Sequence, residues 1–107
     1  MVLVPEVDAS EELGAWLTSR RPHLDSRGVT AHFRTSVVAS ELGSKAAIDF
    51  RRGEDSGYIA MWANGMIDFG VLRAGQAAPQ ETTRECGSRD DIGTALDACL
   101  HEFAGTV

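Results

Sequence analysis

The chain has 107 residues, 43% of them hydrophobic and 24% charged, with sixteen acids against ten bases and a formal charge of −6. That length suits one domain with a real core and is short for two. The acidity argues against nucleic-acid binding, which needs clustered Lys and Arg, and no apolar run approaches the roughly 20 residues of a membrane-spanning helix.

Met1 to Glu6 carries no basic segment and soon meets an acid, so no secretory leader is expected. Cys86 and Cys99 are the two cysteines, and no CxxC pair occurs. The expectation is two reduced thiols in a cytoplasmic protein, without structural zinc or a dithiol redox centre.

Asp8 with Glu11 three residues on forms a capping-box pattern. Leu13, Trp16 and Leu17 follow at helical spacing, which predicts a helix over 9–20, stopped by Pro22. From Val29 the period becomes two: Val29, Ala31, Phe33, Thr35 and Val37 alternate with polar residues as a half-buried strand does. The chain turns at Glu41 to Ser44, and Ala46, Ile48 and Phe50 then alternate with Ala47, Asp49 and Arg51.

Tyr58 to Ala63 and Met66 to Leu72 flank Asn64-Gly65, the preferred dipeptide of a two-residue type I′ hairpin. In that register Trp62 opposes Ile67 and Ala60 opposes Phe69. The bulkier face, Tyr58, Ala60, Trp62, Ile67, Phe69 and Val71, is then expected in the core. Ile59, Met61, Met66, Asp68 and Gly70 are expected on the open side, since a one-residue slip exchanges faces. For Ile48 and Phe50 to join that core, the loop after residue 51 or 52 must hold an odd number of residues, and Gly53 to Gly57 supplies five.

Arg73 to Pro79 reads as a loop, and Gln80 to Cys86 as a polar edge strand. Ser88 then caps a second helix whose Ile92, Ala95, Leu96, Cys99, Leu100 and Phe103 share one stripe, ended by Gly105. The expected fold is a single two-layer α+β domain over residues 1–107. It has an antiparallel meander of four or five strands, with an N-terminal and a C-terminal helix on one face (α-β-β-β-β-β-α). Trp16, Phe33, Phe50, Trp62, Phe69 and Phe103 are expected to dominate the core.

Chemistry-bearing patterns are sparse. Neither GxGxxG after a strand nor GxxxxGK[ST] occurs. His23, His32 and His101 fall in separate elements without metal-ligand spacing. Asp49 and Asp68 are expected about 10 Å apart on the open face, two strand spacings from each other. That is near the limit for an inverting glycosidase pair, but an open sheet offers no enclosed cleft, and cross-strand pairing with Arg34 or Arg51 is the plainer expectation. Glu54 and Asp55 form a solvated acidic loop. Ile59, Met61 and Met66 beside Asp49, Arg51 and Asp68 compose an apolar spot with a charged rim, as a protein-binding surface has. No catalytic residue, metal or cofactor is expected.

From Ala46 to Phe103 the chain resembles the TriTu family of bacterial immunity proteins. The likeness lies in a strand ending Ile48-Asp49-Phe50, a short acidic loop, and the run from Tyr58 to Phe69 with its Trp62-x-x-Gly65-x-x-Asp68 motif. A charged strand and a capped C-terminal helix follow. The resemblance implies a cytoplasmic antitoxin that is not an enzyme. Its partner would be a cognate toxin, an ADP-ribosyltransferase acting on elongation factor Tu, whose active site it occludes. The partner-binding residues expected are Asp68, Met66, Met61, Ile59, Asp49, Arg51, Glu54 and Asp55, in a chain that is monomeric when free.

Two rival readings stand beside this one. A small acidic secretion chaperone, or another protein-binding module, would dimerise by burying Ile59, Met61 and Met66. A small-ligand or enzymatic domain centred on Asp49 and Asp68 would need a deep pocket on the open sheet face, where an immunity protein would be flat or convex.

Overall fold

In the computed structural model, residues 9–40, 43–62, 65–86 and 89–104 are described, the side chains of 35–40, 43, 44 and 89 excepted. The elements run α1 (Ala9–Ser26), β1 (Thr30–Ser40), β2 (Gly43–Arg52), β3 (Asp55–Trp62), β4 (Met66–Leu72), β5 (Gln80–Glu85) and α2 (Arg89–Ala104). The strands form one antiparallel sheet in the order β1-β2-β3-β4-β5, so the expected α+β meander with a helix at each end is present. The expected caps at Asp8, Ser88 and Gly105 lie outside the described residues.

Helix α1 does not stop at Pro22, which lies inside it. Proline removes one backbone donor, but one further turn brings Leu24 to 1% exposure in the core. The helix ends instead at Gly28, whose φ of +69° suits glycine. There the Val29 N–H donates to Leu24 O at 2.9 Å and the Gly28 N–H to Asp25 O at 3.2 Å. These two bonds are a Schellman cap, and the buried Val29 and Leu24 supply its apolar contact.

The hairpin register differs from the sequence expectation by one residue. Met61 pairs with Ile67, Ile59 with Phe69 and Tyr58 with Gly70. The Gly65 N–H donates to Trp62 O at 3.0 Å, and Gly65 has φ +88°. This is a three-residue loop closed by a left-handed glycine, the other hairpin in which Asn-Gly is at home. Strand β4 keeps its expected faces, but β3 is turned over: Ile59 and Met61 are fully buried, while Tyr58 and Trp62 lie on the open side, only partly covered. The physical reason is the polar tip on Tyr and Trp, which needs a hydrogen-bond partner when buried; Ile and Met have no such demand.

The same inversion changes the β2–β3 connection. Arg52 pairs with Asp55, leaving Gly53-Glu54 as a two-residue turn in place of the expected five-residue loop. Gly53 has φ +62° and no described non-glycine residue has positive φ, which is the type II′ combination.

The core gathers Leu13, Trp16, Leu17 and Leu24 of α1 and Ile92, Leu96, Cys99, Leu100 and Phe103 of α2. Against them lie Ala46, Ile48, Phe50, Ile59, Met61, Ile67, Phe69 and Val71 of the sheet. Each large side chain so buried contributes about 1.5–3 kcal/mol. Phe50, Phe69 and Phe103 are in it as expected; Phe33 is only partly buried against it, and Trp62 is not in it. The Phe103 ring centre lies 5.8 Å from that of Phe50, tilted by 35°, and the ring comes so close to Gly57 that a Cβ there would sit 2.9 Å from its Cδ1.

Polar ties fix the helices to each other and to the sheet. Asp97 of α2 accepts from Trp16 Nε1 at 2.9 Å and from Arg20 Nε and Nη2, each at 2.8 Å. At the C-terminal end of α2, Arg73 donates to the carbonyls of Phe103 and Glu102 at 2.9 and 2.6 Å, and Arg52 to that of Ala104 at 3.1 Å. Cations at a helix C-terminus also meet the favourable end of its dipole.

Candidate functional site

Both helices cover one face of the sheet, and among the described residues no element covers the other. Alternation and register place on it His32 and Arg34 from β1, and Lys45, Ala47, Asp49 and Arg51 from β2. Strand β3 adds Tyr58, Ala60 and Trp62. Met66, Asp68 and Gly70 come from β4, and Glu81, Thr83 and Glu85 from β5.

The face is hollowed where its side chains are small. Ala47 pairs with Ala60 at the centre, and around this floor stand Arg34, Lys45, Asp49, Tyr58, Trp62, Asp68 and Glu81, enclosing an open basin of about 840 Å³. A second hollow of about 400 Å³ lies on the far side of Tyr58 and Asp49, against Arg51, Gly70, Leu72 and Pro79. Tyr58 is the ridge between them. Its ring lies directly over Gly70, where a Cβ would sit 2.2 Å from Tyr58 Cε1, and its hydroxyl donates to Glu81 Oε1 at 3.0 Å. Burial, then the Glu81 carboxylate, pushes the Tyr58 phenol above its usual pKa, so it stays protonated at neutral pH.

The charged groups hold one another. Arg34 grips Asp49 across the strands, Nε to Oδ2 at 2.6 Å and Nη2 to Oδ1 at 3.0 Å. Both side chains are about half exposed, so the pair contributes at most about 1 kcal/mol; its effect is to set the positions of two charges. Asp68 accepts from the Thr83 hydroxyl at 2.8 Å. Lys45 Nζ lies 4.8 Å from the centre of the Trp62 ring, a cation–π contact that keeps the indole on the open side.

The expected site residues divide accordingly. Asp68, Met66, Asp49 and Arg51 are on the open face. Ile59 and Met61 are not: at 0% exposure they belong to the core, and the apolar spot they were to form with Met66 does not exist. Glu54 is exposed on the β2–β3 turn. Asp55 is a structural tie, accepting from Ala74 N at 2.9 Å and from Arg73 at 3.3 Å. The Ala74 N–H, with Arg73 adding to it, holds its carboxyl below the usual range.

Sequence reasoning missed Tyr58 and Trp62, together with Lys45 and Glu81. The signal available was glycine: Gly70 and Gly57 are bare positions in adjacent strands, and a bare position in a strand marks a close approach. Gly70 lies under Tyr58 on the open side and Gly57 under Phe103 on the core side.

Among the described residues no group of three or more His, Cys, Asp or Glu could hold a metal ion. Cys99 lies in the core, where burial pushes its thiol up to about 11. Cys86 is buried as well, and burial raises its pKa. No helix among the described residues is long and apolar enough to cross a membrane. Comparison with protein-family models, curated proteins and solved structures finds no significant match.

Proposed function

We propose that this chain is a cytoplasmic immunity protein. It neutralises a cognate bacterial toxin, an ADP-ribosyltransferase directed at elongation factor Tu, by laying its uncovered sheet face over the toxin's active site. The observation that carries this reading is the presence of both Trp62 and Asp68 around one basin of that face. These two side chains of the Trp62-x-x-Gly65-x-x-Asp68 motif flank one basin, and Gly65 makes the turn that brings their strands together. A partly buried Trp and a Tyr on one face, ringed by charges, have the composition of an interface hot spot. The carboxylates there hold Arg, Thr and Tyr side chains, an arrangement suited to shape and charge recognition.

The test begins with the reading frame beside this chain's, whose C-terminal domain is expressed with elongation factor Tu and labelled NAD. The wild-type chain abolishes transfer of label. The double variant Trp62→Ala/Asp68→Lys loses inhibition by roughly a hundredfold or more, the scale of a hot spot, while Arg21→Glu on exposed α1 inhibits as the wild type does. Equal inhibition by the double variant would remove the open face from the interface. Absence of transferase activity from the neighbouring domain would remove the toxin assignment.

One observation favours a second reading. The basin is concave, not flat, and a hollow of this volume matches a small-molecule site in size. Against it stand the ion-paired Asp49 and the hydrogen-bonded Asp68, neither held apart as an acid–base pair requires. Turnover of a small compound that disappears in Asp68→Asn would favour the ligand reading.

A further inference from the structure

The charges of the open face are sorted by strand. Arg34, Lys45 and Arg51 lie on β1 and β2, where the one acid, Asp49, is tied to Arg34. Asp68, Glu81 and Glu85 lie on β4 and β5, where the open face has no base among the described residues. The aromatic Tyr58 and Trp62 lie between, on β3. The sheet is thus basic along one half, acidic along the other and aromatic in the middle.

From this layout we infer that the free chain forms a reversible homodimer through its open face, about a two-fold axis running along β3. Rotation about that axis sets β1 and β2 of one copy over β5 and β4 of the other, so each basic half meets an acidic half. Residues in one cross-strand row face each other. Arg34 comes over Thr83, between Glu81 and Glu85. Ala47, which is small, comes over Asp68, and Lys45 comes over Met66, beside Glu85. Tyr58 and Trp62 meet their own counterparts at the centre. A two-fold axis across the strands would set acid on acid and base on base, which complementarity forbids. Isologous contact of this kind is the commonest form of protein self-association.

Size and net charge set the strength. Five strands about 4.8 Å apart and seven residues long give a face of roughly 24 by 24 Å, or about 600 Å² per copy. The total is at most about 1,200 Å², the lower limit for stable complexes, because the hollows of the two copies face each other. Each copy also carries a formal charge of −6, a repulsion that the sorted face must overcome. The proposed dimer is therefore weak and concentration-dependent, where the sequence reading expects a monomer. It covers the surface proposed to meet the toxin, so toxin and second copy exclude each other.

Sedimentation of the purified full chain from about 10 μM to about 1 mM, a range that spans weak dissociation constants, tests this without any toxin. The wild type shifts from monomer to dimer. The acid-side variant Asp68→Lys/Glu81→Lys/Glu85→Lys and the base-side variant Lys45→Glu/Arg51→Glu are each monomeric throughout. Mixed in equal amounts they form a heterodimer, because, apart from the Arg34–Asp49 pair that both keep, one face is then basic and the other acidic. A wild type that stays monomeric, a variant that still self-associates, or a mixture that does not associate each overturns the inference.

Should a variant fail to fold, concentration-dependent amide shifts in the wild type decide. Shifts confined to the open-face strand positions support the face-to-face dimer, and shifts centred on α1 or α2 overturn it. A monomeric wild type that nevertheless blocks the transferase would refute the dimer and leave the toxin reading standing.

Discussion

Replacing Asp97 with alanine should separate the polar clamp between the two helices into its parts. Asp97 accepts from the Trp16 indole and twice from Arg20. Trp16 is 7% exposed, so Asp97→Ala leaves a largely buried N–H unsatisfied, at about 1–3 kcal/mol. The Arg20–Asp97 ion pair is 34% and 44% exposed, which limits its share to about 1 kcal/mol or less. Together they amount to about 1–4 kcal/mol, a fall in Tm of roughly 4–20 °C for a domain of this size. Asp97→Asn keeps an acceptor for the indole and should lose about 1 kcal/mol, as should Arg20→Ala, by the measured worth of exposed pairs.

Arg20 also holds the Asp97 carboxyl below its usual pKa, outweighing burial, with the indole assisting. A depressed folded-state pKa means that this stabilisation is complete above the unfolded carboxylate value of about 3.9. It is lost as pH falls through the lower folded value. Urea melts of the three variants between neutral pH and about pH 3, the window of a depressed carboxylate, measure both effects. Equal losses in Asp97→Asn and Asp97→Ala would refute the assignment of the larger share to the indole acceptor. So would an Arg20→Ala variant as unstable as Asp97→Ala.

Three further outcomes are expected. Gly70→Ala forces the Tyr58 ring off its bed and away from Glu81, and should cost about 1–3 kcal/mol by overpacking, with Tyr58→Ala restoring part of the loss in the double variant; thermal melts check both. Arg73→Met removes the donor to the Phe103 and Glu102 carbonyls and should speed amide exchange in the last turn of α2, costing about 1–2 kcal/mol, while α1 is unaffected. The buried thiols, with Cys99 raised to about 11, should react slowly with a disulfide reagent at pH 8 in the native protein and fast in denaturant; rapid native labelling of Cys99 would contradict its place in the core.

The order of elements was legible in the sequence because each element carries its own period. Leu13, Trp16 and Leu17 mark one helix, and Ile92, Leu96, Cys99 and Phe103 the other. Alternation from Ala46 to Phe50 marks a strand. Local chemistry also placed Gln80 to Cys86 at an edge, and β5 over Gln80–Glu85 is exposed there. Asp49, Arg51, Met66 and Asp68 were assigned to the open face correctly, since neither β2 nor β4 has two plausible faces.

The tertiary structure alone decided the facing of β3. Its two faces, Ile59 and Met61 against Tyr58, Ala60 and Trp62, are both apolar enough to bury, and Asn64-Gly65 serves a two-residue or a three-residue loop. Size favoured the wrong face, because area in the chain does not show where a hydroxyl or an indole ring will find its partner. Those partners, Glu81 for Tyr58 and the Lys45 cation beneath Trp62, come from β5 and β2, distant in sequence and adjacent only once the sheet has formed. The end of α1 was undecided for a similar reason: Pro22 signals a stop locally, and only the burial of Leu24 against the assembled core carries the helix on to Gly28.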